Sequence, residues 1–217
     1  KKKSSFLLIS CLFLTTFLTI KTFKKVNYQD ISIFGSQLYS IDDIVANSSL
    51  NFPTPLIFIK TKYFEKELKK NLALENVSIN RQIFPFGLKI IIKTRTPIAY
   101  GERIFEGEKI TGFIDEDGYF INEKYSEKEN LKNLSSKVLG WEENFRIALS
   151  KILKSQKKND VEFVKIKFSP NGFLTLEEKS LNTIILGFNS TIIESQLQII
   201  YDLKNQLMGG EILQRID

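Results

Sequence analysis

Apolar residues recur along this chain in three ways, and each predicts a different kind of element. From Ser4 to Ile20 the run SSFLLISCLFLTTFLTI carries no charge over 17 residues, which reads as a helix apolar on all sides, rising ~25 Å. Spacing near four marks amphipathic helices. In KTKYFEKELKKNLAL it places Phe64, Leu68 and Leu72 on one stripe, and in WEENFRIALSKILKS it aligns Phe145, Leu149, Ile152 and Leu153. TIIESQLQIIYDLKNQLMGG repeats it, with Ile193, Leu197, Ile200, Leu203 and Leu207 expected inward, a Thr191/Glu194 capping box at its start and Gly209-Gly210 as its stop. Ser40 and Asp43 frame a shorter helix bearing Ile41, Ile44 and Val45.

Alternation at every second residue predicts strands. Ile31 and Ile33 lead to Gly35. Val77, Ile79, Arg81 and Ile83 share one face of a strand; after a turn over Phe84 to Gly87, Leu88, Ile90 and Ile92 share one face of the next. Lys89, Lys93 and Arg95 then point the other way with Ile91. ITGFIDEDGYFIN reads as a hairpin with Asp-Gly at the turn, and VEFVKIKFSPNGFLTLEE as a second hairpin followed by a strand at NTIILG. Glu211, Ile212, Leu213, Gln214, Arg215, Ile216 and Asp217 read as a terminal strand. The order predicts an α+β chain in three parts: a membrane anchor over 1–25, a strand-helix-helix-strand-strand module over 26–99, and a β-rich domain with flanking helices over 100–217.

An uncleaved transmembrane helix fits residues 4–20 better than its rivals. A cleaved signal peptide wants small residues before its cut site, whereas this run ends FLTIKTF. LISC resembles a lipobox, but the run continues nine residues past Cys11, where a lipobox would end it. Lys1 to Lys3 on one side balance Lys21, Lys24 and Lys25 on the other under the positive-inside rule. A lone N-terminal anchor before a long, mostly polar stretch points to export of the remainder.

Composition narrows the chemistry. The chain has no histidine and one cysteine, Cys11, inside the apolar run, so Ser-His and Cys-His nucleophile pairs, disulfides and thiolate metal sites are excluded. Net charge is +6, but four of the 31 basic residues (Lys1 to Lys3 and Lys21) bracket the apolar run; without them 27 face 25 acidic ones. Nucleic acid is therefore not an expected partner. Asp115, Glu116, Asp117 and Gly118 look like the opening of a calcium loop, yet Ser126 stands where the twelfth-position glutamate belongs. No catalytic residue, cofactor or metal is expected.

With those elements in place, NVSINRQIFPFGLKIIIKTRTPIAY resembles the POTRA domain of the FtsQ/DivIB cell-division family. The match runs through Val77, Ile79, Arg81, Pro85, Leu88, Ile90, Ile92, Arg95, Pro97 and Ala99, and departs at Thr94, where the family usually has glutamate. The hairpin at 115–118 and the closing EILQRID resemble elements of the family's second domain. The resemblance implies a non-enzymatic, single-pass scaffold of the bacterial plasma membrane, exposed outside the cytoplasm at the division site. It implies recruitment of other anchored division proteins (FtsB- and FtsL-like, with the septal wall synthase) by β-strand addition, with the contact on the last strand, Glu211 to Asp217, and the helix beside it. Arg81, Lys89, Lys93 and Arg95 are further candidates, for an acidic partner, unless they form a plain solvated face. A POTRA-bearing translocation or outer-membrane assembly factor is the alternative. A wall hydrolase using the Asp115 to Asp117 carboxylates is a more distant one.

Overall fold

The uncharged N-terminal run folds into a helix, α1 (Lys2–Phe23). The computed structural model describes residues 2–126, 131, 134–159, 161–187, 189 and 191–214, with side chains between 9 and 207. Among the described residues no helix is long and apolar enough to cross a membrane. The 22 residues of α1 rise ~33 Å, of which the uncharged run supplies ~25 Å. The anchor expectation is thus met by a helix and not by a demonstrated span. The chain divides into two units, Lys1–Arg95 and Thr96–Asp217.

In the first unit, α1 is followed by β1 (Lys25–Val26), β2 (Ile31–Phe34), α2 (Ile41–Ala46), β3 (Thr54–Pro55), α3 (Thr61–Asn71), β4 (Asn76–Gln82) and β5 (Gly87–Lys93). The main sheet has the order β2-β5-β4, with β2 parallel and β4 antiparallel to the central β5. Alternation decides its faces as expected: Val77, Ile79, Leu88, Ile90 and Ile92 are buried, together with Ile44 of α2 and Leu68 of α3. Ser40 caps α2 through the expected reciprocal box, its Oγ accepting from the Asp43 N–H at 3.1 Å. At the start of β5, Gly87 has φ +144°, and a Cβ there would lie 1.9 Å from the Asp30 carbonyl oxygen. Only glycine fits that close approach. A minor pair, β1 with β3, ties the exit of α1 to the module, and the Leu56 N–H donates to the Lys24 carbonyl at 3.1 Å.

The second unit holds β6 (Ala99–Phe105), β7 (Glu108–Ile114), β8 (Phe120–Asn122), β9 (Ser136–Leu139), α4 (Arg146–Asn159), β10 (Phe163–Phe168), β11 (Phe173–Glu178), β12 (Asn182–Gly187) and α5 (Ile193–Gln214). They form a seven-stranded sheet of order β12-β11-β10-β9-β6-β7-β8. β9 runs parallel to both neighbours, and the other pairings are antiparallel. Leu149 and Ile152 of α4 with Ile193, Leu197 and Ile200 of α5 share one buried cluster with Val138, Phe163, Ile166, Leu174 and Leu176 of the sheet.

Four expectations about α5 are overturned. Gly209 and Gly210 do not end it, and Glu211 to Gln214 continue the helix instead of forming a strand. A helical glycine costs only ~1 kcal/mol, and Glu, Leu and Gln are good helix formers. Arg215 to Asp217 lie outside the described residues. Leu203 and Leu207 are exposed, at 49% and 53%, because the buried cluster ends at Tyr201. At the helix start, Thr191 donates its hydroxyl to Asn189 Oδ1 at 2.7 Å and Glu194 meets Lys151 at 3.0 Å, so the expected box is not made.

Candidate functional site

The hairpin cations do not form one free basic face. Arg81 lies on the helix-covered side of β4, and its Nε and a terminal nitrogen donate to the Ile59 carbonyl at 3.1 and 2.6 Å. Lys89 is half-buried with its ammonium 4.8 Å from the centre of the Phe34 ring. Lys93 pairs with Glu75. Arg95 is half-buried beyond the end of β5. An exposed ion pair such as Lys93–Glu75 contributes at most ~1 kcal/mol, whereas each buried isoleucine of the same strand contributes ~2 kcal/mol. The hairpin is held by its apolar face, and most of its charges are already engaged.

The acidic turn between β7 and β8 is a packed corner. Asp115 is buried, and its Oδ1 accepts from the Tyr119 N–H at 2.7 Å. Asp117 meets Lys154 of α4 at 2.7 Å, Glu116 lies 3.8 Å from Lys157, and Trp141 donates its Nε1–H to the Gly118 carbonyl at 2.8 Å. The three acidic side chains therefore meet donors at separate places along the turn and α4.

Glu178, at the end of β11, is the most constrained carboxylate described. It is 6% exposed and ion-paired with Lys204 of α5 at 3.0 Å. Burial pushes its carboxyl up, but the Ser180 hydroxyl, Lys204 and the N–H groups of Leu181 and Ser180 outweigh it and hold the group down to about 2. A carboxylate so strongly held ionised fixes α5 to the sheet and is ill-suited to carry a proton near neutral pH.

A strand edge without cover offers a partner its unpaired backbone groups. β4 ends one side of its sheet, but Glu65 of α3 accepts the outward Ile79 N–H at 2.8 Å. At the other margins, β2 and β8 are short, four and three residues. The six-residue β12 closes one end of the seven-stranded sheet and pairs with β11 alone. Ile184 and Leu186 turn toward the core, whereas Ile185 is 66% exposed. Every second residue of such an edge turns its N–H and C=O away from the neighbouring strand.

α5 begins beside that edge, with the Gln196 amide reaching the Gly187 carbonyl at 3.5 Å. Ile199, Leu203 and Leu207 are exposed along it at four-residue spacing, and Ile192 is exposed just before its first turn. Residues at i, i+4 and i+8 lie along one side of a helix and give it a second apolar stripe. Sequence reading placed Leu203 and Leu207 in the core because period alone cannot tell which of two apolar stripes faces the sheet. The site expected on Glu211 to Asp217 has Glu211, Ile212, Leu213 and Gln214 on the last turns of α5, while Arg215, Ile216 and Asp217 fall outside the described residues.

Residues 26–95 match the family model of the POTRA domain, FtsQ-type. No curated protein matches the chain.

Proposed function

We propose, because residues 26–95 match the family model of the POTRA domain, FtsQ-type, that this protein is a non-enzymatic scaffold of bacterial cell division. It is tethered to the plasma membrane by α1, with both folded units outside the cytoplasm at the division site. The family match is the observation that carries this reading, and it favours division over the translocation and outer-membrane assembly alternative. The 17-residue uncharged run with lysines on both sides supports the tether. The engagement of the acidic turn with Tyr119, Lys154 and Lys157 supports a role by binding and not by turnover.

Partner capture is assigned to the β12 edge together with the exposed stripe of α5. An incoming strand would complete the unpaired backbone of β12, and an amphipathic helix of the same partner would cover Ile199, Leu203 and Leu207. The chemistry fits other single-pass division proteins of the FtsB and FtsL kind.

Depletion in the native host tests the division reading: cells should become elongated or enlarged without septa, and normal septation would refute it. Complementation then tests the surface. Ile185→Lys combined with Leu203→Lys and Leu207→Lys alters exposed side chains, so the fold should change by no more than ~0.5 kcal/mol per site. Lysine blunts a sheet edge. Capture of the division partners should weaken at least about tenfold, and undiminished capture would remove the site from β12 and α5.

A further inference from the structure

The tip of the β4–β5 hairpin carries an aromatic residue that nothing in the scaffold reading uses. Phe84 is 71% exposed, an unfavourable place for a large apolar ring in water. Its nearest ring partner is not in the sheet but on α1. Phe84 stacks on Phe17 with ring centres 5.8 Å apart and planes 10° from parallel. Lys21 lies over both rings, at 5.6 and 5.7 Å, and Lys24 lies 4.5 Å over Phe86. Phe58, itself 64% exposed, meets Phe23 edge-on at 6.5 Å.

Position along α1 turns these contacts into a depth. Phe17 lies three residues inside the end of the uncharged run at Ile20, or ~4.5 Å along the helix axis. A residue stacked on Phe17 shares that level. Lys21 and Lys24 lie just beyond it, where ammonium groups meet lipid phosphates. Aromatic rings beneath a ring of cations match the boundary between headgroups and acyl chains.

We propose that the β4–β5 tip, Phe84 above all, enters the lipid interface beside α1, so that the first folded unit is held on the bilayer by a second, non-helical contact. The occupant is the lipid surface itself, chosen because the patch continues the apolar surface of α1 and is framed by cations. The inference rests on the reading of α1 as a membrane tether. If it holds, Phe84 and the Lys21–Lys24 pair fix the orientation of the unit relative to the membrane, which α1 alone would leave free to swing.

The test uses the full chain reconstituted in phosphatidylethanolamine and phosphatidylglycerol vesicles whose acyl chains are brominated near the headgroup end. Tryptophan reporters are placed by Phe84→Trp and, within α1, by Leu14→Trp, each in a Trp141→Phe background. Both reporters should lose emission about twofold or more relative to unbrominated vesicles, as expected for rings buried ~5–10 Å below the surface. Quenching at Leu14→Trp with none at Phe84→Trp, accompanied by full access to aqueous iodide, overturns the wedge and leaves the tether standing. Absence of quenching at both positions removes the tether reading and the wedge with it. Should Trp141→Phe fail to fold, the difference in emission between Phe84→Trp and its parent, each retaining Trp141, gives the same answer.

Discussion

Ala73 occupies a position that helices usually give to glycine. α3 ends in a Schellman arrangement, with the Leu74 N–H donating to the Lys69 carbonyl at 3.0 Å and the Ala73 N–H to the Lys70 carbonyl at 3.3 Å. Ala73 takes φ +49° to make it. A side chain in that region costs ~1–2 kcal/mol, so Ala73→Gly should stabilise the first unit by ~1 kcal/mol after the added freedom of the unfolded chain is subtracted. Denaturant unfolding checks it, and a lower midpoint would contradict the cap. Glu178 gives the opposite kind of prediction. Its folded value of about 2 lies below the ordinary 4.5, so its stabilisation is fully present above about pH 4.5 and disappears as pH falls toward about 2. Glu178→Gln should cost ~2 kcal/mol at neutral pH and remove that part of the acid transition. An unchanged acid profile would mean that Lys204 and Ser180 do not hold the carboxylate in solution.

At the scale of elements, the first unit was legible from its pattern because core-facing positions are nearly all aliphatic: Val77, Ile79, Leu88, Ile90 and Ile92 keep the alternation, which Arg81 breaks near the end of β4. β6 was not legible, and the reason is local. Its inward positions are Ala99, Gly101 and Arg103, which carry no apolar rhythm. Gly101 is needed because Ile114 and Phe120 already fill the space, leaving 3.0–3.1 Å to any added Cβ, and the Arg103 guanidinium lies 4.4 Å over the Phe120 ring. β9 escaped for another reason, since four residues are too few to show alternation. The candidate site was legible in kind but not in place. Sequence suggested an edge and a neighbouring helix, whereas the exposed edge is β12 and the apolar stripe lies on the outer side of α5, because burial depends on which face meets the sheet.

The whole molecule adds the question of sidedness, which lysine counts on the two flanks of the apolar run leave balanced. If both units are exported, protease added to intact spheroplasts should digest residues 30–217 and spare the tether; full protection would reverse the orientation. The architecture of the second unit has a temporal consequence as well. β9 joins the β6-β7-β8 meander to the β10-β11-β12 meander, and both of its pairings are parallel. During synthesis β6 pairs first with β7 and must wait until about 30 further residues have emerged before its second neighbour, β9, arrives. For that interval a nascent sheet presents a raw, adhesive border, so weakening this four-residue suture should first appear as precipitation of newly made chains, before any loss of strength in molecules already finished.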